Sequence, residues 1–193
     1  MPDYFFITKM KKGFTLIEVI ISIAIAALLF TMVTSIYSLS QETYNHNDTK
    51  AEITQNGRVI LDRLIREIRQ TPEIVTEIPE TNGDPDSLPE EIMFQDGHDT
   101  SNISYIRYYL ENSDIKRQSI VYSFPEDPDI YVYWHATSQS GQAPEMNILE
   151  DKIIGEYVSD IEFWGDKLIN VNLYLSKDNQ SEIIFTSVYG RNL

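Results

Sequence analysis

Eighteen consecutive residues, Val19 to Ile36, carry no ionisable side chain. Nothing else in a chain of 193 residues is apolar enough to wrap a helix of that length on every side. The run therefore needs a solvent that its own chain does not supply. Roughly 20 apolar residues cross a bilayer, so a membrane is the first candidate. Lys9, Lys11 and Lys12 lie before the run and Glu18 stands at its entrance. Basic residues stay on the cytoplasmic side, which places the chain after Ile36 on the opposite side. The carboxylate is the costly element. At a helix centre in lipid such a group is penalised by roughly 2.5–3.5 kcal/mol, and it usually has a dedicated partner.

Three plain readings compete for this segment. A secretory signal peptide would have a shorter apolar core and a small-x-small site such as Ser38-Leu39-Ser40, and Glu18 would go unexplained. A simple signal anchor needs neither Gly13 nor Glu18. A buried core helix has too little chain around it. Met10 is a second candidate start, giving the short leader Met10-Lys11-Lys12-Gly13.

The charge is local. The chain has 15 basic and 30 acidic residues, a formal net charge of −15. Residues 41–70 hold five of each sign, whereas residues 71–193 hold 23 acids and seven bases. A domain with that excess repels phosphates, so no direct nucleic-acid partner is expected, nor docking on anionic lipid headgroups. The plainest reading of the acid excess is a solvated surface. There are no cysteines, so no disulfide staples the part expected outside the cytoplasm.

Phe14 to about Gln70 reads as one helix, apolar all round at first and amphipathic later. Ile53, Ile60, Leu61, Leu64, Ile65 and Ile68 share one helical face. Asp62–Arg66 and Arg63–Glu67 read as i,i+4 pairs on its polar side. Gly57 weakens the middle by about 1 kcal/mol relative to alanine. Pro72 ends the helix. Residues 71–90, with Pro72, Pro79, Pro85 and Pro89, read as an acidic loop. Strands are expected over Glu91–Gln95, Ile103–Leu110, Ile115–Phe124, Tyr131–Trp134, Ile161–Trp164, Ile169–Leu175 and Ile183–Tyr189, with a short helix or strand over Lys152–Ser159. Turns are expected at Asn112-Ser113-Asp114 and Lys177-Asp178-Asn179. The predicted class is α+β: a long N-terminal helix packed against antiparallel sheet.

The stretch Gly13-Phe14-Thr15-Leu16-Ile17-Glu18-Val19, with Lys11 and Lys12 before it and the apolar run after it, closely resembles the type III signal of type IV prepilins and pseudopilins. The resemblance implies a prepilin peptidase that cuts between Gly13 and Phe14 and N-methylates Phe14. It implies that Lys11 and Lys12 hold the leader in the cytoplasm. It also implies that Glu18 pairs with the Phe14 amine of a neighbouring subunit during assembly. The organisation it implies is residues 1–13 as leader, 14–37 as the membrane or filament-core helix, and 38–193 as a globular domain. The globular part is similar to minor pseudopilins of the J type. Arg58, Arg63, Arg66 and Arg69 fill that type's arginine-rich helix end. Tyr105, Tyr108 and Tyr109 lead through a turn to Lys116-Arg117. Val158–Trp164 and Ile183–Asn192 match its late and final strands. No proline falls between Phe14 and Gln70, whereas the bulk subunit of such filaments usually has one. That departure suits a tip or initiator subunit, or a pseudopilin.

No enzymatic constellation is present in the sequence. His46, His98 and His135 are scattered, and no HExxH, G-x-S-x-G or Walker pattern occurs. Asp96, His98 and Asp99 read as a polar loop. Asn82, Asp84, Asp86 and Glu90 offer oxygen ligands, but they lack the glycine and glutamate of an EF-hand loop. No cofactor is expected, with calcium as a minor alternative. Of Tyr105, Tyr108, Tyr109, Tyr131, Tyr133 and Trp134, strand alternation sends half to each sheet face.

Together these features predict a minor pseudopilin or minor type IV pilin that is not an enzyme. It would sit in the inner membrane as a single-pass protein and then at or near the tip of a pseudopilus serving secretion. Its partners would be prepilin peptidase, other minor and major pilins, and the membrane through residues 14–37. The alternatives are a minor pilin of a surface or DNA-uptake pilus, and a membrane-anchored binding domain that never polymerises.

Overall fold

A computed structural model describes residues 13–83, 88–98 and 102–190. The chain divides into two compact units, Met1–Asn47 and Asp48–Leu193. A single helix, α1 (Leu16–Ile68), supplies the described helical residues of both. Within the first unit every described residue is exposed. Several hydroxyls in this stretch bond carbonyls of the preceding turn. Ser22 Oγ donates to the Glu18 carbonyl at 2.7 Å, Thr31 Oγ1 to Ala27 at 2.8 Å, and Ser35 Oγ to Thr31 at 2.9 Å. These polar groups are thus satisfied within the helix, the condition that hydrocarbon imposes.

In the second unit the expected stripe is buried. Ile53, Ile60, Leu64 and Ile68 are fully enclosed, Leu61 nearly so, and Ile65 is partly buried against the same cluster. The stripe also includes Gly57. A Cβ there would stand 2.7 Å from Ile184 Cδ1 and 2.7 Å from Leu175 Cδ1, so the bare backbone allows the helix to approach the sheet closely. The sequence alone shows only the cost of that glycine. The last turn tightens, with Gln70 N–H bonding Glu67 O at 3.1 Å and Thr71 N–H bonding Ile68 O at 3.2 Å, and Pro72 follows.

Two antiparallel sheets cover the stripe. The first contains β1 (Glu91–Gln95), β2 (Tyr105–Glu111), β3 (Asp114–Phe124), β4 (Asp127–Val132) and β5 (Glu145–Gly155). One edge of β3 takes β2 and then, further along, β4, while its other edge takes β5. The second sheet runs β6 (Val158–Trp164), β7 (Leu168–Lys177), β8 (Gln180–Tyr189). The turns fall where asparagine, aspartate and serine permit positive φ: Asn112 and Ser113 (52° and 68°), and Asp178 and Asn179 (49° and 65°). Part of the acidic segment after the helix lies along β1. Val75 N–H bonds Met93 O at 2.8 Å and Gln95 N–H bonds Glu73 O at 2.9 Å, and Ile74 bridges to Phe94.

The architecture is the predicted one, a long helix against antiparallel sheets. Two strands differ from expectation. β4 begins at Asp127, through an Asp-Pro-Asp stretch that reads as loop. β5 begins at Glu145, well before the expected Lys152. Its pairing with β3 slips at two points, which leaves Leu149 and Ile154 as bulge residues. Each extra residue inverts the inward–outward alternation, so the period of two that marks a strand is lost.

Candidate assembly site

The N-terminal features come together at the start of α1. Gly13 and Phe14 precede it, and Phe14 is exposed. Lys11 and Lys12 lie outside the described residues. Thr15 is the N-cap. Its Oγ1 accepts the Glu18 N–H at 3.3 Å, while the Glu18 carboxylate accepts the Thr15 N–H and hydroxyl, each at 3.3 Å. This reciprocal arrangement is a capping box. Glu18 therefore has partners within its own chain. The carboxylate also closes two donors at the helix end, where the helix dipole favours negative charge. Beyond it, α1 offers an 18-residue window long and apolar enough to cross a membrane, with none of it buried.

This geometry gives a capped helix start, a solitary carboxylate and an unburied apolar run behind a Gly-Phe junction. Residues 8–34 match the prokaryotic N-terminal methylation motif. The chain carries the type IV prepilin signal. No curated protein matches the chain. The prepilin signal implies processing by a prepilin peptidase and assembly with other pilins.

The second half of α1 holds a site that helical spacing misplaces. The i,i+4 pattern puts Glu67 on the polar side, but it is buried. Its carboxylate accepts the Tyr108 hydroxyl at 2.6 Å and Arg117 Nε at 3.1 Å to each oxygen, with Arg63 Nε at 3.5 Å. Glu150 lies 3.5 Å from Arg117 Nη1. Burial pushes the Tyr108 phenol well above its ordinary pKa, and the Glu67 charge pushes it further. Burial works against the Arg117 charge, yet hydrogen bonding and attraction to Glu67 hold its pKa above the usual value. The signal available in the sequence is the offset of 14 between Ile53 and Glu67, which returns close to the same helix face. Of the arginines singled out at this helix end, Arg63 joins the cluster. Arg58, Arg66 and Arg69 form no ion pair among the described residues.

The β2 tyrosines divide as alternation requires, whereas Tyr133 and Trp134, expected in a strand, lie beyond the end of β4. Tyr108 faces the core and stacks on Phe94 at 6.2 Å. Tyr105 lies on the opposite face and is nonetheless buried, packed edge-on against Tyr122 at 5.4 Å with its hydroxyl accepting the Trp134 N–H at 3.2 Å. Tyr109 joins a polar ladder on that outer face, donating to Asp151 at 3.0 Å beneath the Arg107 guanidinium. His98 Nδ1 meets Asp96 at 2.7 Å, and Asp99 lies outside the described residues. Asp84 and Asp86, grouped with Asn82 and Glu90 as oxygen ligands, also lie outside them. Among the described residues no group of three or more His, Cys, Asp or Glu side chains could hold a metal ion.

Proposed function

We propose that this chain is a non-enzymatic minor pseudopilin or minor type IV pilin that assembles through α1. The observation that carries this reading is the prepilin signal at residues 8–34 leading into an apolar helix with no partner in its own chain. Cleavage between Gly13 and Phe14 would leave a cationic, then methylated, amine one residue before the Thr15 cap. Glu18 would exchange its own cap donors for that amine on a neighbouring subunit, so that each chain neutralises a charge it cannot bury alone. Lys11 and Lys12 would hold the leader in the cytoplasm until the cut. The absence of proline from the helix supports a specialised position near the tip, and secretion is the machine we favour. N-terminal mass spectrometry of protein from its host tests the first step: the mature chain should begin with N-methylated Phe14. A start at Gln41 would instead mark an ordinary signal peptide.

The capping box favours a second reading, an anchor that never polymerises and in which Glu18 only closes the helix end. The two are separable. Glu18→Gln keeps a side chain able to complete the box but removes the charge. Under the assembly reading Glu18→Gln and Glu18→Ala are both processed, and both are depleted from sheared filaments. Absence of the wild-type chain from sheared filaments would favour the anchor, and normal incorporation of Glu18→Gln would overturn the charge pairing.

A further inference from the structure

The free edges of the two sheets are not alike. β5 is interrupted by two bulges and carries Glu145, Glu150, Asp151 and Lys152. β4 carries Asp127, Pro128 and Asp129. The outer edge of β1 is occupied by residues 73–76. β6 has a register shift between Val158 and Asp160, and it carries Asp160 and Glu162. Charges, prolines and bulges are the usual deterrents to edge-to-edge pairing. β8 lacks the prolines and the bulges. It runs 10 residues without a register shift, and its one charge, Glu182, is held by Lys50 at 2.6 Å. Its outward side chains include Ile183, Phe185 and Tyr189, all exposed, with Phe185 stacked on Trp164 at 6.1 Å.

We propose that β8 is the docking edge for a second copy of this chain, the two β8 strands pairing antiparallel about a two-fold axis at Ile184. Three observations select this occupant. First, the strand has the same polar–apolar pattern in both directions about that residue: Ser181 and Glu182 polar and Ile183 apolar on one side of Ile184, Phe185 apolar and Thr186 and Ser187 polar on the other. Second, the backbone parity agrees. Lys177 and Gln180 close the two-residue turn and are paired. The even-numbered residues of β8 therefore bond to β7, and Ser181, Ile183, Phe185 and Ser187 aim their N–H and C=O groups outward. None of these four has a further backbone partner among the described residues. An axis at Ile184 sets Ile183 opposite Phe185 of the second copy and Ser181 opposite Ser187, apolar on apolar and hydroxyl on hydroxyl. Third, charge leaves little choice of face. Residues 71–156 hold 18 acids and four bases, whereas residues 157–190 hold five acids and two bases. Two such acidic chains repel less strongly at the second sheet than at the first. The contact is isologous, so it closes at two copies and does not propagate. The pairing concerns the second unit alone and does not require that the chain enter a filament.

The test uses the full chain in detergent micelles. It should sediment as a dimer, and Phe185→Lys, at an exposed position, should sediment as a monomer with unchanged circular dichroism. The chain has no cysteine, so single cysteines report without background. Ile184→Cys sits at a non-hydrogen-bonded pair on the axis, where Cα atoms approach to about 4.5 Å, within disulfide range. It should give a cross-linked dimer on mild oxidation, while Ile148→Cys on β5 should not. A monomeric wild-type chain would overturn the proposal. A dimer that survives Phe185→Lys would also overturn it, showing association through the apolar helix. So would cross-linking at Ile148→Cys equal to that at Ile184→Cys.

Discussion

The two halves of α1 obey the same backbone rules and solve opposite problems. Val19 to Ile36 is free of charge on every side and wholly exposed, whereas Ile53, Ile60, Leu64 and Ile68 lie on one stripe and are wholly enclosed. A helix with one apolar face can be finished by its own chain, because a sheet covers that face. A helix apolar all round cannot, and so awaits a surrounding of lipid or of other helices. The spacing of apolar residues, more than their number, separates a helix that folds from one that assembles.

The sharpest way to break this contrast is to place the same charge in each half. Leu64→Asp buries an unpaired carboxylate in the core, and we expect a cost of ~3–5 kcal/mol, a large fraction of a domain's stability. Loss of the near-ultraviolet dichroism of its tyrosines and tryptophans would report it. Ile25→Asp should leave that signal intact and instead release the chain from membranes in flotation. If Ile25→Asp unfolded the second unit as well, the two halves would not be separable.

Next in size is the ion pair hidden at the covered end. Glu67→Ala leaves the half-buried Arg117 with only the more exposed Glu150, and we expect a cost below the about 3–5 kcal/mol of breaking a fully buried pair. Glu67→Gln retains an acceptor for Tyr108 and should cost less, a difference readable in urea denaturation. The combination Glu67→Ala with Arg117→Met should recover part of the loss, because an apolar pair does not have to be desolvated.

The smallest expected effect is on pH. The Tyr108 phenol is raised in the fold, mainly by burial, so its contribution is fully present below the unfolded value near 10. It is lost as pH rises further, since the unfolded chain ionises first. Stability should therefore fall above about pH 10, and less steeply in Tyr108→Phe. At the acid end, the Lys152 contact lowers Glu150, and the hydrogen bond from Gln118 lowers Asp151. Their contributions are present above about pH 4.5 and are lost as pH falls, but both groups are solvated and the change should be slight.

Much of this is legible in the sequence because it rests on spacing. The stripe from Ile53 to Ile68 and the turns at Asn112-Ser113 and Asp178-Asn179 each follow from a local rule. The prepilin signal is legible as a compact motif in one segment. What escapes notice depends on partners distant in sequence. Glu67 looks like a surface residue until Tyr108 and Arg117, 41 and 50 positions away, come round to it. Gly57 looks like a flaw until β7 and β8 close over it. The Thr15–Glu18 box is visible in the sequence but is hidden by a stronger pattern that uses the same glutamate.

Gly57 has a counterpart one turn further along the same face. A Cβ on Gly155, in the first sheet, would stand 2.3 Å from Ile60 Cδ1, just as one on Gly57 would strike the second sheet. Along its one buried face the helix is thus keyed to each sheet by bare backbone, tooth against notch. A pull along α1 would meet this interlock in shear. Ile60 would have to ride over Gly155, and Ile184 over the helix at Gly57, before either sheet lost a strand. The joint transmits tension through steric fit, so its strength would persist at salt concentrations that dissolve every surface ion pair.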